Sequence, residues 1–318
     1  MSKGTTVRHF SPCAGLAALG IKLRALDIFG PIRDGVRIAQ KRVNDTPAEK
    51  RYAAFITMLA GAHGLVEINT RLRSDPGLQA AVGRQRCAEQ SVVQDTLDAC
   101  TAENVRQMEQ ALDSIYRQHA QGYRHDYVQG YQILDVAMSG LPGGPKAAFA
   151  TKGYFAKQRN RRGRQLGRVL ASRYGEIVVD RLFAGTVHLA AALQPLVTAA
   201  EGTLDLDEAK RARTILRVDA GGGTLEHINW ALGRGYRVHG KDYSGRHARA
   251  LAQSVTSWVD DPMVPGRQVG WVTEEANAYV TPVRRIAVRC PKKNGCDPFP
   301  RNCRLMNGRE RELGGNTT

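Results

Sequence analysis

Two aspartates offer the clearest chemistry. Asp135 lies inside the apolar run Gln132-Ile133-Leu134-Asp135-Val136-Ala137-Met138, and Asp219 closes the run Thr214-Ile215-Leu216-Arg217-Val218-Asp219. Both runs have the composition of buried strands. In open α/β sheets ligands gather outside the carboxyl ends of strands, so two such strands as neighbours would turn both carboxylates toward one divalent cation. All-oxygen ligation suits Mg²⁺ or Mn²⁺. Two such ions roughly 3.5–4 Å apart can activate an attacking oxygen and stabilise a leaving one at a phosphodiester. The competing reading makes each Asp an ordinary strand-end or turn residue, the commoner role for a lone Asp.

The second group is basic. No acid occurs between Asp135 and Glu176, while Lys146, Lys152, Lys157, Arg159, Arg161, Arg162, Arg164, Arg168 and Arg173 all fall there. Tyr154 and Phe155 are interleaved with them, offering stacking contacts to bases. The whole chain, 318 residues long, carries 46 Lys+Arg against 30 Asp+Glu, a formal net charge of +16. With 42% hydrophobic and 24% charged residues it is a globular chain rather than a disordered polycation. Its excess charge is available for a polyanion, and nucleic acid is the first candidate. The alternative for the arginine run is a solvated face.

Other groups argue for less. Leu182 to Ala200 is uncharged and long enough to span a bilayer, but Gly185, Thr186, His188, Gln194, Pro195 and Thr198 make it a poor span and a reasonable helix. The N-terminus shows no cleavage signal, so no secretion is expected. Cys13, Cys87, Cys100, Cys290, Cys296 and Cys303 form no CxxC pair and read as reduced thiols. Asp-Ala-Gly-Gly-Gly-Thr at 219–224 is neither a dinucleotide nor a Walker loop, and His227, His239 and His247 lack ligand spacing.

The elements that must position the aspartates follow from periodicity. Residues 1 to about 128 read as helical, with Ala53, Ile56, Leu59 and Ala60 on one face. Val105, Met108, Ala111, Leu112 and Ile115 line a second helix that Thr101 can cap. A strand over 132–138 stops at the turn cluster 139–144, and 164–173 and 176–183 form two more strands. Thr186 then caps a helix that Pro195 should kink, and a charged helix covers 205–212. After the strand ending at Asp219 come a helix over 224–232, a strand over 236–240 and a helix over 245–257. Three successive strands followed by a βαβ unit require a mixed sheet, antiparallel first and parallel later. That order predicts an α/β chain: an RNase H-like mixed sheet with flanking helices, preceded by a helical N-terminal domain.

Four blocks resemble bacterial insertion-sequence DDE transposases: LDVAMSGLP at 134–142, TKGYFAKQRNRRGRQLGR at 151–168, ILRVDAGGG at 215–223 and YRVHGKD at 236–242. The similarity runs from about residue 50 to 290, with the motifs in order. It implies an RNase H-like domain that cuts and joins the ends of a mobile element with Mg²⁺ or Mn²⁺. The implied catalytic and metal residues are Asp135 and Asp219, the latter matching the family's second acid. The implied DNA contacts are Lys152, Lys157, Arg159, Arg161, Arg162, Arg164, Arg168 and Lys241. Double-stranded DNA, both element ends and target, is the implied partner, with a homodimer on DNA, no membrane, and a bacterial, nucleoid-associated cytoplasmic location.

Two departures from the family pattern bear on activity. The family's first-strand motif tends to read Asp-x-Asp, and here the second acid is Ala137. The third acid, a late-helix Glu, has no counterpart, because the similarity stops near Asn294; Glu310 and Glu312 lie in an unpatterned tail, and Asp260, Asp261, Glu274 and Glu275 read as loop residues. The expected organisation is a helical DNA-end-binding domain at 1–128, an incomplete catalytic domain at 129–290 and an irregular, possibly out-of-frame tail at 291–318. The expected function is a C-terminally truncated transposase impaired in strand cleavage. The alternatives are a non-catalytic DNA-binding remnant and a generic basic nucleic-acid-binding protein with no metal site.

Overall fold

A computed structural model of the chain describes residues 10–40, 44–144, 147–153, 155, 161–242, 244–273 and 278–290, together with the backbone of 302–306. It divides into two compact units, Met1–His119 and Ala120–Thr318.

The first unit is helical: α1 (Ala14–Ala25), α2 (Gly30–Gly35), α3 (Pro47–Leu59), α4 (Pro76–Ala81), α5 (Gln90–Asp98) and α6 (Ala102–His119). α3 starts at a capping box in which Thr46 and Glu49 satisfy each other's backbone N–H groups, with Pro47 pre-set for the first turn. The Asp75 side chain caps α4. Thr101 Oγ1 accepts from the Asn104 N–H at 3.3 Å and so caps α6. Ala53, Ile56, Leu72, Leu78 and Val82 form one apolar cluster, and Val36, Ile38 and Ala111 another. The apolar stripe of α6 is only partly used: Ala111 is buried, whereas Val105 and Leu112 stand 57% and 52% exposed. Helical spacing marks a face without marking what covers it.

The second unit is built on one mixed sheet. Its strands are β1 (Gln132–Pro142), β2 (Thr151–Lys152), β3 (Arg162–Ala171), β4 (Glu176–Ala184), β5 (Thr214–Val218), β6 (Arg237–Lys241), β7 (Val259–Asp260), β8 (Gln268–Trp271), β9 (Arg284–Arg289) and β10 (Asn302–Met306). The helices are α7 (Leu189–Leu204), α8 (Glu208–Ala212), α9 (Leu225–Gly233) and α10 (Gly245–Gln253). The core order is β4-β3-β1-β5-β6, with β3 antiparallel to both β4 and β1, and β5 parallel to both β1 and β6. Three antiparallel strands followed by a parallel βαβ unit, with the first strand central, is the RNase H-like arrangement. The mixed α/β fold expected from the sequence is therefore the fold observed.

Alternation along the strands divides the sheet into two faces. Leu134, Val136, Val169, Leu216 and Val218 are buried on one face. α7 packs across β4, β3 and β1 on that side, and α9 packs on β6. Gly167 admits α7 closely, since a Cβ there would stand 2.8 Å from Leu196 Cδ1. At the far end of α7, Glu201 accepts from the Tyr236 hydroxyl at 2.8 Å and from Arg234 Nε at 2.9 Å, fastening the helix to the start of β6. The opposite face carries Asp135, Ala137, Arg168 and Arg217.

Several elements differ from their sequence reading. β1 continues past 138 to Pro142 because its outer half pairs with β3 down to Pro142↔Gly163. Those residues are largely exposed, so no apolar pattern announces them, and Pro142 falls at the strand end where its missing N–H is harmless. α7 starts after His188 rather than Thr186, whose backbone N–H instead donates to Thr151 Oγ1 at 3.0 Å. In the stretch read as patternless, the backbone of β10 lies between β6 and β9 and pairs with both. Among the described residues no helix is long and apolar enough to cross a membrane.

Candidate functional site

β1 and β5 run side by side with Asp135 directly opposite Arg217. Strand alternation sends both side chains to the face away from α7 and α9. There Arg217 Nη2 donates to Asp135 Oδ2 at 2.5 Å while its Nε binds Oδ1. Ser172, just past β3, adds a hydroxyl bond to Oδ2 at 2.6 Å. The side chains of Arg217 and Asp135 are 45% and 25% exposed. Burial alone would raise the Asp135 pKa. The hydrogen bonds from Arg217 and Ser172, with the charges of Arg217 and His239, outweigh it and hold the carboxyl below its ordinary value. The same pairing raises Arg217.

Asp219 is exposed, one residue beyond β5. Its Oδ1 accepts the Gly221 N–H at 2.8 Å, so the side chain braces its own turn. Gly223 lets that turn close on the neighbouring strand: a Cβ there would stand 2.0 Å from the Lys241 carbonyl oxygen. Thr224 then caps α9 by accepting from the His227 N–H. His227 Nδ1 lies 2.5 Å from Thr224 Oγ1 in that cap.

Register fixes what lies beside Asp219. Val136 faces Val218 across β1/β5, and Val218 faces Gly240 across β5/β6. The β5 pairing ends there; Asp219 is the next residue along the chain, as Ala137 follows Val136 on β1 and Lys241 follows Gly240 on β6. Asp135 stands one strand over and two residues back. With strands about 4.8 Å apart and a rise of about 3.3 Å per residue, the two aspartate Cα atoms are roughly 8 Å apart. The topology thus sets β1, which carries Asp135, beside β5, whose end Asp219 follows, and Ala137, two residues past Asp135 on the same face of β1, offers only a methyl group.

The donor set is a poor fit to a divalent ion. Both oxygens of Asp135 are engaged by Arg217, one also by Ser172. Among the described residues no group of three His, Cys, Asp or Glu side chains is placed to hold a metal. No acid stands on α10; at the carboxyl end of β6, Asp242 accepts from the Ser244 N–H at 2.7 Å and contacts His247 Nδ1 at 2.6 Å. Asp260 lies on β7 rather than in a loop and accepts from Gln268 Nε2 at 2.7 Å, while Asp261, just past that strand, pairs with Arg267. Glu274, Glu275, Glu310 and Glu312 lie outside the described residues.

The basic residues are spread along β3 rather than gathered at the aspartates. Lys152, Arg161 and Arg162 are exposed at the outer end of the β2–β3 pair. Ala137 faces Arg168, so Arg162 is six residues further out, roughly 20 Å at strand rise. Arg164 is half-buried, donating to the Leu182 carbonyl at 3.3 Å and lying 5.5 Å from the Phe149 ring centre. Arg168 is committed to Asp180, with both donors at 2.7 Å. Lys241 is half-buried beside the Asp219 turn. Phe155 is buried at 4% exposure against Gly163, so it packs the hairpin rather than offering a stacking platform. Lys146, Tyr154, Lys157 and Arg159 lie outside the described residues.

The residue beside the predicted site that sequence reasoning missed is Arg217. Its signal was present: in Leu216-Arg217-Val218 a lone cation alternates with two buried residues, and the strand period sends it to the face of Asp135.

No family model matches the chain, and none of the curated proteins does. Among solved structures, the chain is similar at 12% identity to a piggyBac transposase in a synaptic complex with hairpin DNA, with a TM-score of 0.47 over 98% of this chain and 65% of that one. It is similar at 12% identity to the Bacillus subtilis endonuclease V, with a TM-score of 0.27 over 65% of this chain and 76% of that one. A pre-cleavage Mos1 transpososome follows at 12% identity and a TM-score of 0.24, over 63% and 61% of the two chains. The chain thus spans 65% of the length of the piggyBac transposase chain, just under two thirds.

Proposed function

We propose that the chain is a DNA-binding protein of the transposase kind, whose RNase H-like unit has lost most or all of its strand-cutting capacity. The observation that carries this reading is the strand order β4-β3-β1-β5-β6. It sets β1, which carries Asp135, beside β5, whose end Asp219 follows, and the engagement of Asp135 by Arg217 together with the methyl group at Ala137 supports the impaired reading. Phosphoryl transfer depends on positioned charge, so a site short of carboxylates loses ion affinity and orientation together. If Mg²⁺ or Mn²⁺ binds, Asp219 is its most accessible carboxylate and Asp135 the second. The four motif blocks support the finer reading of a bacterial insertion-sequence protein acting in the cytoplasm near the nucleoid.

Binding is the function that survives. The excess of positive charge supplies affinity for duplex DNA without sequence choice. Lys152, Arg161 and Arg162 extend that charge about 20 Å beyond the aspartates, some six base pairs of duplex. The helical first unit is the candidate reader of element ends, and a homodimer on paired ends is the corresponding assembly. A protein that holds ends without cutting them would compete with an intact transposase.

The test is direct. The purified chain should shift duplex DNA in a mobility assay with a steep dependence on salt, and should leave end-containing DNA unnicked in either metal ion. Efficient nicking that disappears in Asp219→Ala would replace the impaired reading with an active transposase. Absence of any salt-dependent DNA binding would remove the reading altogether.

A further inference from the structure

We infer that the Arg217 guanidinium stands in the place of the divalent cation on this sheet, so that the resident counter-charge of Asp135 is a side chain and not a metal ion. This rests on, and deepens, the reading of the second unit as an RNase H-like DNA-binding domain. Three independent features converge. The β1/β5 register sets Arg217 directly opposite Asp135 and turns both to the same face. Two donors of one guanidinium and the Ser172 hydroxyl engage the two carboxylate oxygens. Ala137, two residues from Asp135 on the same face of β1, has no oxygen to offer.

An entering Mg²⁺ or Mn²⁺ would have to strip a bidentate guanidinium and a hydroxyl from Asp135. It would then sit within a few ångströms of the displaced positive charge. Like charges at that range oppose binding. Hard cations also prefer about six oxygen ligands, and this row supplies two carboxylates, one of them already engaged. Arg217 therefore keeps the cation out.

Titrating the full-length protein with Mn²⁺ in the absence of DNA, read by electron paramagnetic resonance of the free ion, tests this. The wild type should show no saturable site tighter than about 1 mM, and Asp135→Asn should leave its curve unchanged. Arg217→Gln should tighten Mn²⁺ by on the order of tenfold, and Ala137→Asp added to it by a similar factor again. Micromolar binding of Mn²⁺ by the wild type that Asp135→Asn abolishes would overturn the inference, as would a folded Arg217→Gln protein with no gain. If Arg217→Gln fails to fold, the wild-type and Asp135→Asn curves decide alone. Mobility shifts on the same samples separate the two claims: loss of DNA binding sinks the proposed function, whereas the metal curves judge only the role of Arg217.

Discussion

Two Arg–Asp pairs lie on the same face of the sheet, each across one strand boundary and each in direct register. Arg168 faces Asp180 across β3/β4, and Arg217 faces Asp135 across β5/β1. Their exposures are close, 40% and 36% for Arg168–Asp180 against 45% and 25% for Arg217–Asp135. The chemistry is the same, a bidentate guanidinium on a carboxylate. The consequences differ by position. Arg168–Asp180 lies near the outer side of the sheet, where a cross-strand pair trims an edge and takes one arginine out of reach of a phosphate. Arg217–Asp135 lies on the central strand pair, gains the Ser172 hydroxyl, and neutralises a carboxylate one residue back from the level of the β5 end. A pair's role is thus set less by its own geometry than by which third group stands beside it.

The largest expected separation is in DNA binding. Replacing Lys152, Arg161 and Arg162 together with Gln should weaken duplex binding by tens-fold and reduce the salt slope by about 2–3, close to one for each lost phosphate contact. Arg168→Gln should change that slope by less than about 0.5, because the charge is already answered by Asp180. Equal slopes for the two variants would show that the Asp180 pair opens on DNA. The next effect is on stability. A double-mutant cycle on Asp135 and Arg217 should give a coupling of about 1–2 kcal/mol in urea unfolding, against about 0.5 kcal/mol for Arg168 and Asp180, after allowance for solvent screening. A reversed order would mean that the Ser172 contact adds nothing.

The smallest effect is on pH dependence. The Asp135 pKa is lower folded than unfolded, because Arg217 and Ser172 outweigh its burial. Unfolding therefore takes up protons in that range, and the stability from Asp135 is fully present above its ordinary carboxylate value and is lost as pH falls through the depressed one. Arg217→Gln should flatten this acid limb, leaving stability near neutrality lower but less dependent on pH below about 4. An unchanged acid limb in a folded variant would place the acid sensitivity elsewhere.

How far the sequence speaks differs between strands and site. β3, β4, β5 and β6 were legible because their inner faces alternate or run apolar, as in Leu216 and Val218. The outer half of β1 was not, because nothing but its backbone pairing to β3 holds it. Phe155 looked available for stacking only while Gly163, against which it packs, was eight residues away on the chain. Val105 and Leu112 show the opposite error, an apolar stripe that the described packing leaves exposed.

Composition and local pattern by themselves determined a globular, strongly basic chain with a mixed α/β second half and aspartates on two of its strands. That Ala137 stands where an acid would be expected comes only from the resemblance to the transposase motif, not from composition or periodicity. Which residue answers Asp135 was decided only by the fold. Arg217 is 82 residues away along the chain. It reaches Asp135 because parallel pairing aligns the two strands with no slip. A shift of one residue would send the guanidinium to the buried face and leave the carboxylate open, because side chains alternate with a period of two. Register is a property of the assembled sheet, set by many distant apolar contacts at once, and no local stretch of the chain contains it.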